Sequence, residues 1–182
     1  MAKVSGALFS VDASGTYAGK LTFAKWKGRQ YVRNCVIPSN PMTIGQVTSR
    51  NRVRVTGAAQ RFVNQTALKG DGRTSTDKVL LTAAAPSGEA WNGYLSKSMI
   101  GSAGVTYDAA EVAYAELESG EKTAWVNAAA ALTPAIPSVA QKGAENVAAT
   151  AKTAGEVYFI MQYGLYTAGI ADMPTATPPT YA

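Results

Sequence analysis

Thr153-Ala154-Gly155-Glu156-Val157-Tyr158-Phe159-Ile160-Met161-Gln162-Tyr163-Gly164-Leu165-Tyr166 is the stretch on which the fold turns. Thr153, followed three residues later by Glu156, has the spacing of a capping box, so a helix is predicted to start here. Beyond that cap, residues 157–166 are apolar on nearly every side. A helix without a polar face must be covered all round, either by its own domain or by other subunits.

Short helices upstream can supply that cover. They are predicted over 76–85, stopped by Pro86; over 88–101, with Ser87 as cap and Trp91, Tyr94, Leu95 and Met99 on one side; over about 107–117; and over about 120–132, with Ser119 as cap. Residues 134–152 combine Pro134, Pro137, Gly143 and many alanines, which fits a loosely packed helix or a linker. Further upstream, Thr43 and Gln46 form another capping box. At about 100° per residue, Ile44, Val47, Asn51, Val55, Ala58 and Phe62 then share one line, predicted to be buried. Arg50, Arg54 and Arg61 run along one flank of it, with Arg52 on the other side, and Gly57 weakens the helix and marks a candidate bend.

The period changes nearer the N-terminus. Gly19 to Trp26 and Arg29 to Ile37 are rich in aromatic and β-branched residues around a Lys27-Gly28 turn, the pattern of a β-hairpin. In its second strand Tyr31, Arg33, Cys35 and Ile37 share one face and Val32, Asn34 and Val36 the other. Two strands alone are marginal, so the ribbon needs a packing partner. The first dozen residues suggest a short strand or arm ending at Ser14-Gly15, and Pro38-Ser39-Asn40-Pro41 an extended connection. The class is therefore mainly α with an N-terminal β-hairpin (α+β), a small helical domain with extended terminal arms.

Charge divides the chain. Residues 1–73 carry twelve Lys and Arg against Asp12 and Asp71, a net +10, whereas residues 74–182 carry five Lys against ten acids, a net −5. We accordingly divide the chain into a basic hairpin-plus-helix docking segment (1–73), an acidic Ala-rich helical part of the same domain (74–172), and a Pro-rich extended tail (173–182) expected to lie on a neighbour. A bipolar chain can bind copies of itself, basic part to acidic part, or can use its basic part on phosphate.

Composition argues against most chemistry. The absence of histidine removes the usual general base and metal ligand, and the single cysteine, Cys35, forms no intrachain disulfide. Ser119-Gly120-Glu121-Lys122 matches S-x-x-K, but no S-D-N or K-T-G accompanies it, and helix capping explains it better. The acids show no metal-binding cluster. The residues start without an apolar run of signal-peptide length, and no stretch approaches the ~20 residues of a membrane span. The expectation is a non-enzymatic protein without cofactor, metal, membrane or small-molecule substrate. The surface candidates are Trp26, Arg29, Tyr31, Arg33, Arg50, Arg54 and Arg61, with Tyr158, Phe159, Tyr163 and Tyr166 as apolar interface residues. The Arg residues with Trp26 and Tyr31 fit nucleic acid as an alternative, less favoured because the acidic part repels a duplex.

Trp26-Lys27-Gly28-Arg29, Tyr31-Val32-Arg33, Val36-Ile37-Pro38, Asn40-Pro41, Thr43, Gln46 and Arg50 together resemble a segment of tailed-bacteriophage and prophage virion proteins. That segment is a W-K-G hairpin followed by N-P-x-T-x-x-Q-x-x-x-R. The likeness covers about residues 1–62. It implies a structural component of the particle, in the neck, the tail or on the capsid surface. Such a protein would be made in the host bacterial cytoplasm, reside in the virion, and have copies of itself and other virion proteins as partners.

Overall fold

Threonine hydroxyls start three of the helices. Thr43 Oγ1 accepts from Gln46 N at 3.4 Å, Thr76 Oγ1 from Val79 N at 3.4 Å and Thr153 Oγ1 from Glu156 N at 3.2 Å. Each satisfies a backbone donor that the first helical turn leaves without a partner. The computed structural model describes residues 15–17, 21–26, 29–34, 43–65, 67, 69–140 and 151–181. The chain is mainly α-helical with an N-terminal β-hairpin and separates into two units, Met1–Pro41 and Met42–Ala182.

In the first unit, β1 (Gly15–Tyr17), β2 (Leu21–Trp26) and β3 (Arg29–Asn34) form an antiparallel sheet in that order. The hairpin register pairs Trp26 with Arg29 and Leu21 with Asn34; the predicted Lys27-Gly28 turn itself lies outside the described residues. Gly15 pairs with Phe23, so a third strand begins where the sequence suggested a break. The expected N-terminal arm, the strand extension to Ile37 and the Pro38–Pro41 connection lie outside the described residues.

The second unit holds α1 (Ile44–Gln65), α2 (Asp77–Ala84), α3 (Trp91–Ile100), α4 (Val105–Glu116), α5 (Ser119–Ala131) and α6 (Ala154–Thr167). Helix α6 is its axis. Val157, Tyr158, Phe159, Ile160, Met161 and Leu165 are buried within this unit, so the rest of the domain covers them. Two glycines let neighbours come close. A Cβ on Gly155 would lie 2.7 Å from Val126 N of α5, and one on Gly164 would lie 2.3 Å from Met99 Cγ of α3. The two are about 180° apart around α6, so α5 and α3 approach it from opposite sides. Trp125 fills the seam with α5, its ring centroid 5.0 Å from those of Tyr158 and Phe159 in edge-to-face contacts.

Several local expectations are corrected. The unit boundary falls at Pro41/Met42, so α1 belongs with the other helices and not with a 1–73 docking segment. Helix α1 runs unbroken through Gly57. Its buried line is Val47, Asn51, Val55, Ala59, Phe62 and Val63; cover begins at Val47 and leaves Ile44 68% exposed. Ser87 caps nothing, because Pro86 to Glu89 form a turn and α3 starts at Trp91. Glu118 caps α5 in place of Ser119, in a reciprocal box with Glu121. Residues 132–140 are not helical, Val139 bridges Lys152, and 141–150 lie outside the described residues.

Candidate functional site

The tail is where the structure departs furthest from the sequence reading. Residues 173–181 lie on their own domain. Trp125 Nε1 donates to Thr175 O at 3.0 Å, Tyr158 Oη to Pro179 O at 3.0 Å, and Asp71 N to Thr180 O at 2.7 Å. Tyr181 ends the strap: its ring packs edge-on against Phe62 of α1 at 6.1 Å and tilted against Tyr158 of α6 at 6.2 Å.

Tyr181 also enters a polar cluster. Its Oη donates to Asp77 Oδ2 at 2.8 Å and accepts from Gln162 Nε2 at 2.6 Å. Asp77 is buried at the first position of α2, 3.0 Å from Arg73 Nη1. Arg73 in turn reaches Gly70 O at 2.7 Å and Ile170 O at 3.4 Å. Burial raises the Asp77 pKa, more than the Arg73 charge and the Tyr181 hydrogen bond lower it. A carboxylate whose folded pKa is raised binds its proton more tightly in the folded state. Its favourable contribution is full below the unfolded value of 3.8 and is lost as pH rises through the folded value. The stability of the wild type minus that of Asp77→Asn is therefore expected to fall as pH rises from 3.8. Thermal melts of both proteins across this range check the sign; a rising difference contradicts it.

A second cluster ties the bridge at Lys152 to the helices. Lys152 Nζ contacts Glu156 of α6 and lies 2.7 Å from Glu111 of α4. Burial works against the ammonium, but the hydrogen bonds to the two glutamates outweigh it and its pKa is raised. The Glu156 side chain is thus spent on Lys152, leaving Thr153 as a simple cap.

The arginines of α1 separate. Arg52 donates to both carboxylate oxygens of Asp108 at 2.7 Å and to Ala103 O at 3.1 Å, passing over Gly104, where a Cβ would lie 2.1 Å from its Cζ. Arg54 donates to Asn51 Oδ1 at 3.0 Å. Arg50 and Arg61 are exposed, and Arg61 borders a cleft of about 270 Å³ with Ala58, Phe62, Gln65, Pro134, Ala135 and Pro137. The pairs Arg52–Asp108 and Arg73–Asp77 join the basic and acidic parts of the sequence inside one chain.

The remaining candidates divide further. Tyr158 and Phe159 are buried in the core and are not interface residues, a correction to the reading of α6. Tyr163 is half-buried and stacks edge-on at 5.9 Å with Tyr166, which is 41% exposed. Arg33 is exposed on β3; Trp26, Arg29 and Tyr31 fall in β2 and β3, with their side chains outside the described residues. Lys122 of the S-x-x-K match donates to Ala115 O at 2.7 Å, and Ser119 accepts through its backbone from Thr123. Among the described residues no helix is long and apolar enough to cross a membrane. Comparison with protein-family models, with curated proteins and with solved structures finds no match.

Proposed function

We propose that this chain is a non-enzymatic structural component of a tailed-bacteriophage particle, carried in several copies in the neck, the tail or on the capsid surface. The observation that carries this reading is the position of the unit boundary. It falls at Pro41/Met42, inside the N-P-x-T-x-x-Q segment that resembles virion proteins. That segment thus joins a small sheet to a helical globule whose first helix it also caps through Thr43. The use of polar chemistry adds support. Asp77, Lys152, Glu156, Arg52 and Arg73 each hold elements together, which is what a load-carrying fold asks of them.

Mass spectrometry of purified particles tests the reading: the chain is expected among the particle proteins, and its absence there removes the proposal. Against the nucleic-acid alternative stands the pairing of Arg52 with Asp108, which neutralises one of the basic residues of α1. Purified wild-type chain is therefore expected to show no salt-sensitive duplex retention near physiological ionic strength, and Arg50→Ala with Arg54→Ala to change nothing in that assay. Strong retention that falls steeply with salt would restore the alternative.

A further inference from the structure

We infer that the outer face of α4 in one copy docks antiparallel on the outer face of α1 in the next, forming a head-to-tail contact between copies of this chain. The inference rests on the multi-copy reading above.

Helix α1 carries four arginines and no acid, and α4 carries Asp108, Glu111 and Glu116 and no base. On the outward side of α1, Arg50, Val53, Gly57 and Arg61 are exposed at spacing i, i+3, i+7, i+11. On the outward side of α4, Val105, Asp108, Ala109, Val112 and Glu116 are exposed at matching spacing. Val53 is 61%, Val105 66% and Val112 58% exposed, so each helix turns valine to solvent on a stripe that carries one sign of charge. Each stripe is about 16 Å long.

Only one direction matches them. Antiparallel, Arg50 meets Glu116, Val53 meets Val112, Gly57 meets Ala109, and Arg61 meets Val105 and Asp108. In the parallel arrangement the same two charge pairs lie within reach, but Val53 faces Asp108 and Ala109 and Val112 faces Gly57, so the valines no longer meet. Open space around Gly57, with nothing within 4 Å of a Cβ, provides a notch opposite Ala109, so the axes can approach to about 8 Å. Arg50 has an interaction within its own chain, and five guanidinium donors leave room for a second acceptor. Asp108, although held by Arg52, keeps a 55% exposed side chain.

The two faces differ, so the contact is heterologous, and each copy offers one of each. Repetition closes a ring or extends a filament. One three-turn helix pair covers less than the ~1,600 Å² of a standard interface, so each contact is weak and assembly depends on several acting together.

Sedimentation velocity of the full chain tests this with two variants, Val53→Glu on α1 and Val112→Glu on α4, both at exposed positions and checked for folding by circular dichroism. Wild type is expected to associate beyond a dimer with rising concentration, and each variant to lose about tenfold or more in association constant. Mixing the two variants leaves one intact pair of faces, so a 1:1 complex that grows no further is expected. The double variant V53K/V112E places opposite charges in register and is expected to restore growth. Wild type that stays monomeric, variants that associate like wild type, or a mixture that grows beyond 1:1 overturns the contact. So does duplex DNA binding that Val53→Glu abolishes without any self-association. Particle composition is a separate readout: a chain found in particles yet monomeric in solution removes this contact and leaves the particle reading standing.

Discussion

Deletion of residues 173–182 is expected to lower the stability of the helical unit by about 3 kcal/mol or more, with a melting-temperature drop of roughly 10 °C. The strap is held at four places along its length, by Trp125, Tyr158, Asp71 and the Asp77 cluster. Its ring packs on Phe62 and Tyr158 and is itself partly buried, so its truncation falls toward the lower end of the about 3–5 kcal/mol that loss of a fully buried aromatic ring costs. Tyr181→Ala should reproduce most of the loss. Tyr181→Phe keeps the ring but removes both the hydrogen bond donated to Asp77 and the one accepted from Gln162, so a smaller loss of about 1–3 kcal/mol is expected. Thermal and urea unfolding of the three proteins measures the series, and a tail deletion with the wild-type midpoint contradicts the strap.

The second large effect is at a glycine. Gly155→Val should cost about 3 kcal/mol or more, because its first added carbon already meets Val126 N at 2.7 Å and Trp125 C at 3.0 Å. Backbone atoms cannot swing aside as a side-chain end can. Relief requires α5 to move off α6 and open the seam filled by Trp125. Gly57→Ala, an equally helical position with open space around it, should instead gain about 0.5–1 kcal/mol. Urea midpoints of the pair should therefore move in opposite directions; a shared direction would contradict the packing of α6.

Both effects concern contacts between residues far apart in the chain, which limits how much of them the sequence could announce. Tyr181 and Asp77 are 104 positions apart, and nothing local to either marks the other as its partner. A Pro-rich tail reads as non-helical, and among the described residues 173–181 carry no helix; whether it lies on its own domain or on a neighbour depends on which surface offers Tyr181 a pocket. Residues 157–166 read as a helix covered all round, with the identity of the cover left open. Gly155 and Gly164 decide it by allowing α5 and α3 to close on α6. Tyr158 and Phe159, reasonable interface candidates by type, are then consumed as core.

What the sequence determined by itself is local: the mainly helical class, the hairpin, the caps at Thr43 and Thr153, the stop at Pro86 and the separation of Arg52 from the Arg50, Arg54 and Arg61 stripe. These follow from periodicity and capping, which act over three or four residues and are written in consecutive positions. The same shortness of range explains the errors at Ser87 and Ser119, where several neighbouring residues could cap and only backbone geometry selects one. Tertiary structure alone decided that α1 joins the helical unit, that Arg52 and Arg73 spend their charge on Asp108 and Asp77, and that the tail returns to its own domain. Burial and pairing are properties of distant segments brought together, and their energies appear only once the chain has closed on itself.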